Sequence, residues 1–167
     1  TPPPTINRIL HHAVGLDTES YNAFVNWLAY IVQKRDKSRI AWILHGTQGT
    51  GKGLLFEKIL TPIFGEQYVA RTSMDAIAKE KTNPYLYQSV LTLIDEADVS
   101  DIADKSIMTS RLKEYITEPT LNIRKMGIAA YQVRNYTNFL VFSNNTTPTI
   151  IQDNDRRWSV AKRQNIP

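Results

Sequence analysis

Apolar residues recur in this chain with two different periods. Phe24, Trp27, Leu28, Ile31 and Val32 form one stripe along an amphipathic helix whose start is marked by Asp17 to Ser20. The run KRDKSR at 34–39 predicts a charged turn. Ile40 to Leu44 is a short apolar run rich in β-branched and aromatic residues, as in a strand buried on both faces. A glycine-rich turn follows, then a helix from about Lys52 to Leu60, ended by Pro62 and Gly65. Residues 66–88 carry no clear period. Val90 to Ile94 predicts a second buried strand, and Asp104 to Glu118 a helix stopped by Pro119. Leu121 to Val133 predicts a hairpin turning at Lys125-Met126-Gly127, and Phe139 to Phe142 another buried strand. Alternating strands and helices predict an α/β fold, a largely parallel sheet with helices on both faces and a hairpin inserted before the last core strand. The expected division is a linker at 1–17, opening on three prolines, an N-terminal helical segment at 18–39 and a core at 40–167.

Composition adds little to this pattern. The chain has 167 residues, 42% apolar and 22% charged, which suits one globular domain. There is no cysteine and there are three histidines, which argues against disulfides, thiol chemistry and structural zinc. No stretch reaches the roughly eighteen apolar residues of a membrane span, and no secretory leader is recognisable; a cytoplasmic protein without a membrane partner is expected.

Charge changes the picture more. Residues 1–110 hold 11 basic and 12 acidic side chains, whereas 111–167 hold 9 and 4. The last third therefore carries the whole basic excess. Such an excess suits either a solvated face or a surface for a polyanion.

The glycine-rich turn is Gly46-Thr47-Gln48-Gly49-Thr50-Gly51-Lys52, a match to G-x-x-x-x-G-K between a strand and a helix. Glycines let successive N–H groups point at phosphate oxygens, and the lysine supplies charge. The next residue is Gly53, where Ser or Thr normally reaches Mg²⁺. The second strand ends in Asp95-Glu96, 43 residues beyond Lys52. After a phosphate loop, Asp95 is expected to hold the metal and Glu96 to orient the attacking water. Asn144 ends the Phe139 strand and suits either a γ-phosphate contact or a turn. Arg156 and Arg157 follow in Asp-Arg-Arg-Trp. They suit a guanidinium offered to a neighbouring subunit's nucleotide or a surface pair with Asp153 or Asp155.

Four motifs in this order, GTQGTGKG, VLTLIDEAD, TLNIRKMGIAAYQV and NFLVFSNN followed by DRRW, resemble the ATPase core of superfamily 3 helicases over residues 20–163. The version with Gly53 and NWLAYIVQ upstream looks most like phage and plasmid primase–helicase or primase-polymerase proteins. The resemblance implies a P-loop, AAA+-like fold using ATP and Mg²⁺. It also implies a ring, usually a hexamer, with ATP sites between subunits, and 3′-to-5′ movement on single-stranded DNA in replication. In that family a pore hairpin carries a DNA-contacting lysine; the matching position is Lys125, with Arg124 beside it and Met126 at the turn. Asn144 matches the polar sensor, Arg157 matches the arginine finger better than Arg156, and Lys113 matches a basic residue reaching across the interface. A primase or polymerase domain of the same parent chain is the further partner expected.

Two features depart from the family. Gly53 removes the usual metal hydroxyl, and the oligomerisation collar is short or absent. Gly53 keeps open a nucleotide-locked DNA-binding or assembly module that does not hydrolyse. A protein-remodelling or clamp-loading AAA+ ATPase shares the ATP motifs but needs no basic hairpin. A small nucleotide kinase accounts for the loop and the arginines but not for Asp95-Glu96 followed by Ser143-Asn144.

Overall fold

The structure is a computed structural model and describes residues 2–95, 102, 104–145 and 155–166. Its centre is a five-stranded sheet of β1 (Ala41–His45), β2 (Val69–Thr72), β3 (Leu91–Ile94), β6 (Asn138–Ser143) and β7 (Trp158–Val160), ordered β2-β3-β6-β1-β7. Every pair in it is parallel. A separate antiparallel hairpin, β4 (Thr120–Lys125) and β5 (Ile128–Arg134), precedes β6.

Strand alternation divides the core in two. Ala41, Ile43, Ile94, Phe139 and Val141 face α5 (Met74–Lys79), α6 (Lys105–Thr117) and the base of the hairpin. Trp42, Leu44, Leu91, Leu93, Leu140 and Phe142 face α1 (Pro4–Ala13), α2 (Thr18–Lys34) and the helical run after the glycine loop. Both sheet faces are covered, so β1, β3 and β6 are buried throughout and read as apolar runs. The stripe on α2 is buried at Phe24, Trp27 and Ile31, about 1.5–3 kcal/mol of transfer energy for each such side chain. Asp17 caps this helix by accepting from the Ser20 N–H at 2.8 Å.

Three expectations need correction. The predicted linker contains α1. Pro4 opens it, where a proline's fixed φ favours a helix start, and Leu10, Ala13 and Val14 are buried against the sheet. The helix after the loop does not stop before Pro62. Lys52–Leu54 is α3, Leu55–Leu60 is π-helical, and Thr61–Phe64 is α4, which ends at Gly65. A proline at 62 would meet the Lys58 carbonyl in a regular α-helix. The widened turn, in which Thr61 N–H bonds Phe56 O, relieves this. The unread stretch 66–88 holds β2 and α5. β7, also unpredicted, pairs with β1 at the sheet edge.

The charged turn does more than join elements. Lys37 is buried and its Nζ donates to the carbonyls of Tyr115 (2.8 Å) and Glu118 (3.0 Å) at the end of α6. Asn135 Nδ2 donates to the same two oxygens at 2.9 Å, and Asn135 N–H to Pro119 O. These bonds satisfy helix-end carbonyls and pin both ends of the hairpin. No described helix is long and apolar enough to cross a membrane.

Candidate functional site

Parallel strands place their following loops along one edge of the sheet. Here β6 lies between β1 and β3, so the loops after β1, β6 and β3 are neighbours. The result is a 340 Å³ cleft lined by Gln48, Gly49, Thr50, Gly51, Lys52, Gly53, Asp95, Phe142 and Asn144. Residues of three separate motifs thus share one space, including Lys52, Asp95 and Asn144.

The loop's backbone explains its glycines. Gly49 and Gly51 have φ of +86° and +82°, the left-handed region that glycine enters at least cost. Gly46 serves a close approach instead: an added Cβ would lie 2.5 Å from Gln164 Cβ. At Gly53 an added Cβ meets nothing within 4 Å. Packing therefore does not demand glycine there, and a hydroxyl-bearing side chain has room.

Lys52 is buried, and its Nζ donates to Gly46 O (3.2 Å), Thr47 O (3.1 Å) and Thr50 Oγ1 (3.2 Å). Burial, then the Arg163 charge, holds its pKa below the ordinary lysine value, and Asp95 works in the opposite direction. Arg163 Nη1 is itself buried without a hydrogen-bond partner. A cation pair of this kind is electrostatically unfavourable alone and favourable around an anion.

Gln164 ties the loop to the rest of the molecule. Its Oε1 lies 2.9 Å from Thr50 Oγ1, and its Nε2 donates to His12 O at 3.0 Å. Its backbone accepts from Thr47 N–H and donates to His45 O. Beside it, α1 and the loop enclose a second cleft of 240 Å³, reached by Arg8, Ile9, His12, Gly51 and Leu54. Neither Arg163, Gln164 nor α1 was singled out from the sequence, because none belongs to a local motif. A larger apolar groove of 550 Å³, lined by Ile31, Val32, Phe64 and Val90 among others, contains none of the candidate site residues.

Other predicted residues lie elsewhere. Glu96 is outside the described residues. Among the described residues no group of three or more His, Cys, Asp or Glu side chains could hold a metal, and Asp95 is the acid at the cleft. Arg156 and Arg157 precede β7, whose first residue pairs with Ala41 at the start of β1. They therefore sit at the opposite edge of the sheet from the cleft. Arg156 is exposed. Arg157 is held on its own segment: its Nε lies 2.8 Å from Asp155 Oδ1, and its Nη2 donates to Oδ2 at 3.1 Å. Burial works upward on Asp155, but hydrogen bonds from Arg157 and the charge of Lys113 bring its pKa below the usual carboxylate value. Lys113 thus approaches the arginine pair rather than this chain's own glycine loop.

The hairpin turns at Met126-Gly127, with Lys125 opposite Ile128 and a register shift between Ile123 and Lys125. Met126 is 91% exposed at the tip. The backbone of Arg124, displaced from the ladder by the shift, bonds Asn83 in both directions: Arg124 N–H to Asn83 Oδ1 (2.7 Å) and Asn83 N–H to Arg124 O (3.0 Å).

Comparison with known proteins is consistent with a replication context. Residues 44–157 match the model of a family described as "family of unknown function (DUF5906)". The chain is 35% identical over 164 residues to the DNA primase-polymerase of Nitratiruptor phage NrS-1, covering 98% of this chain and 23% of that protein. It therefore spans less than a quarter of that relative. An apo structure of the NrS-1 C-terminal region (305–718) superposes with a TM-score of 0.86 at 34% identity, over 96% of this chain and 38% of the other. A second apo structure of the region, its A form, gives 0.84 at 34% identity, over 99% and 38%.

Proposed function

This chain belongs to the DUF5906 family, and we propose that it is the ATP-driven motor of a phage-type replication protein. In this proposal the fold is a P-loop, AAA+-like ATPase of the superfamily 3 helicase kind. Copies form a ring, with ATP and Mg²⁺ held between them, and translocate on single-stranded DNA. A primase or polymerase domain belongs to the same parent protein. The observation that carries it is the cleft in which the glycine loop, Lys52, Asp95 and Asn144 meet.

The residues present fit a polyphosphate. Lys52 exchanges its bonds to Gly46, Thr47 and Thr50 for phosphate oxygens, and the unbonded Arg163 Nη1 gains an acceptor. Loop N–H groups and the start of α3 add further donors. Base and ribose are assigned to the neighbouring cleft between α1 and the loop. Asp95 would hold Mg²⁺, Asn144 would donate to the terminal phosphate or position the attacking water, and Glu96 would accept that water's proton. When bound, ATP supplies a phosphoanhydride bond whose cleavage drives movement. Arg156, Arg157 and Lys113 gather at the far edge of the sheet, where a neighbouring copy could offer them to this cleft.

Turnover measured against protein concentration, with and without single-stranded DNA, tests the proposal. Specific activity that rises with concentration and again with DNA is expected. Activity independent of both would overturn the ring motor. Gly53 favours a second possibility, a nucleotide-dependent DNA-binding module without hydrolysis. The open space at Gly53 makes this testable: Gly53→Ser should raise Mg²⁺-dependent turnover several-fold if only the hydroxyl is missing. If both forms bind ATP and neither hydrolyses it under any condition, the binding module is correct.

A further inference from the structure

Lys125 does not extend freely from the hairpin. Its Nζ lies 4.8 Å from the ring centroid of Tyr87 and 5.9 Å from that of Tyr131, and the two rings meet edge to face at 6.2 Å. Tyr131 is on β5. Tyr87 comes from a different part of the chain, the short turn after the 3₁₀ segment Pro84–Leu86. That turn is fixed against the hairpin. Asn83 is 1% exposed, exchanges two hydrogen bonds with the Arg124 backbone, and donates through Nδ2 to Asn122 O at 3.1 Å. Leu86 is buried behind it, and Tyr87 N–H bonds Pro84 O at 3.1 Å.

The Tyr87 ring is nevertheless accessible, and Tyr131 is partly so. Tyr87 is 42% exposed, and beside the pair the hairpin tip presents Met126 and Ile128, 91% and 59% exposed. Two aromatic rings, an apolar tip and the cation Lys125 thus occupy one preorganised surface. This combination fits a strand that offers flat apolar bases and anionic phosphates at a fixed spacing. A folded protein partner would cover the apolar tip but would not need a cation fixed on an exposed ring. A duplex hides its base faces.

We infer that Tyr87 and Tyr131 form a stacking site for an unpaired nucleobase, from which Lys125 is displaced onto the adjoining phosphate. A cation resting on an exposed ring is held weakly, so a base can replace it. The inference rests on the strand-binding reading above and adds to it the residues that hold a base and a requirement for single-strandedness.

The test uses the whole chain and an oligodeoxynucleotide carrying a fluorescent aminopurine, with an oligoribonucleotide and a duplex of the same sequence as further arms. The single strand should quench on binding and the duplex should not. Tyr87→Ala should weaken single-strand binding about ten-fold and remove the quenching, while leaving the slope of affinity against salt unchanged. Tyr87→Phe should behave as the parent. Tyr131 packs partly on the core, so Tyr131→Phe and a thermal melt accompany Tyr131→Ala. Equal losses for the deoxy and ribo strands would mean that the site reads the base alone. A loss confined to one strand would mean that the sugar is also sensed, with stacking retained. Parent-like binding and quenching by Tyr87→Ala would overturn the stacking site and leave strand binding by Lys125 intact. So would a Tyr87→Ala variant that loses salt dependence as Lys125→Ala does, since the rings would then only position the lysine. No binding by the parent chain in any arm would overturn the strand-binding reading itself.

Discussion

The cleft and the hairpin each present a lysine, and the two lysines are held in opposite ways. Lys52 is buried, bonded to three oxygens of its own loop and close to a second cation. Lys125 is half-buried and rests on aromatic rings beside an exposed apolar tip. The first arrangement suits a compact anion that enters a shaped cavity and replaces several bonds at once. The second suits a long, repetitive ligand that must be gripped and released. Tight holding is useful at a chemical step, and weak holding is useful on a track.

The sharpest way to break the comparison is Lys52→Ala. Nucleotide affinity, measured by calorimetry, should fall at least a hundred-fold, because charge and loop order are lost together. Unchanged affinity would remove the cleft from the nucleotide assignment. Next in size is Asn83→Ala. Its buried bonds tie the Tyr87 turn to the hairpin, so urea unfolding should show a loss of about 2–3 kcal/mol. Strand affinity should fall as well, whereas nucleotide affinity should hold. If both affinities fall together, the two regions are not separable. Lys125→Ala should weaken strand binding several-fold and make the salt slope shallower by roughly 0.7, the value for one phosphate on a single strand. An unaltered slope would mean that the hairpin lysine touches no phosphate.

The smallest effect concerns Lys37, which secures the end of α6 beneath the hairpin. Burial brings its pKa down to about 8 from 10.5, with Arg39 adding to the shift and Glu118 and Asp36 opposing it. Between these values the unfolded chain binds more protons than the folded one, so this group's contribution to stability rises with pH. Between about pH 8 and 9.5, the unfolding free energy of the parent in urea titrations should rise relative to that of Lys37→Met, by on the order of 1 kcal/mol. At higher pH the raised pKa values of Tyr85 and Tyr115, caused by burial and Glu80, lower the absolute stability of both proteins alike, so the comparison is made below that range. A Lys37→Met variant with the same pH profile as the parent would exclude the buried-amine account.

What the sequence revealed follows from locality. β1, β3 and β6 were legible because burial on both faces leaves unbroken apolar runs. The three-residue β7 and the Val-Ala-Arg-Thr of β2 are edge strands with no such run. Three prolines suggested a linker, yet Pro4 begins a helix, and a π-turn carries the next helix past Pro62. At the cleft, Gly46 to Lys52, Asp95 and Asn144 were legible through spacing between motifs. Arg163, Gln164, Asn83 and Tyr87 owe their roles to tertiary neighbours and have no local signature. Arg157 shows the limit from the other side, since its bonds to Asp155 were one of two readings the sequence left open.

The bonds of Gln164 to Thr50 and His12 also set an order of assembly. They bring residues 12, 47–50 and 164 together, His12 and Gln164 being 152 positions apart in sequence. Closing so long a loop carries a large entropic cost, which falls late in folding after nearer contacts have formed. The wall of the glycine loop is incomplete until the segment after β7, which carries Gln164, has docked beside β1. The cleft at the glycine loop therefore depends on a wall that only long-range tertiary contacts complete.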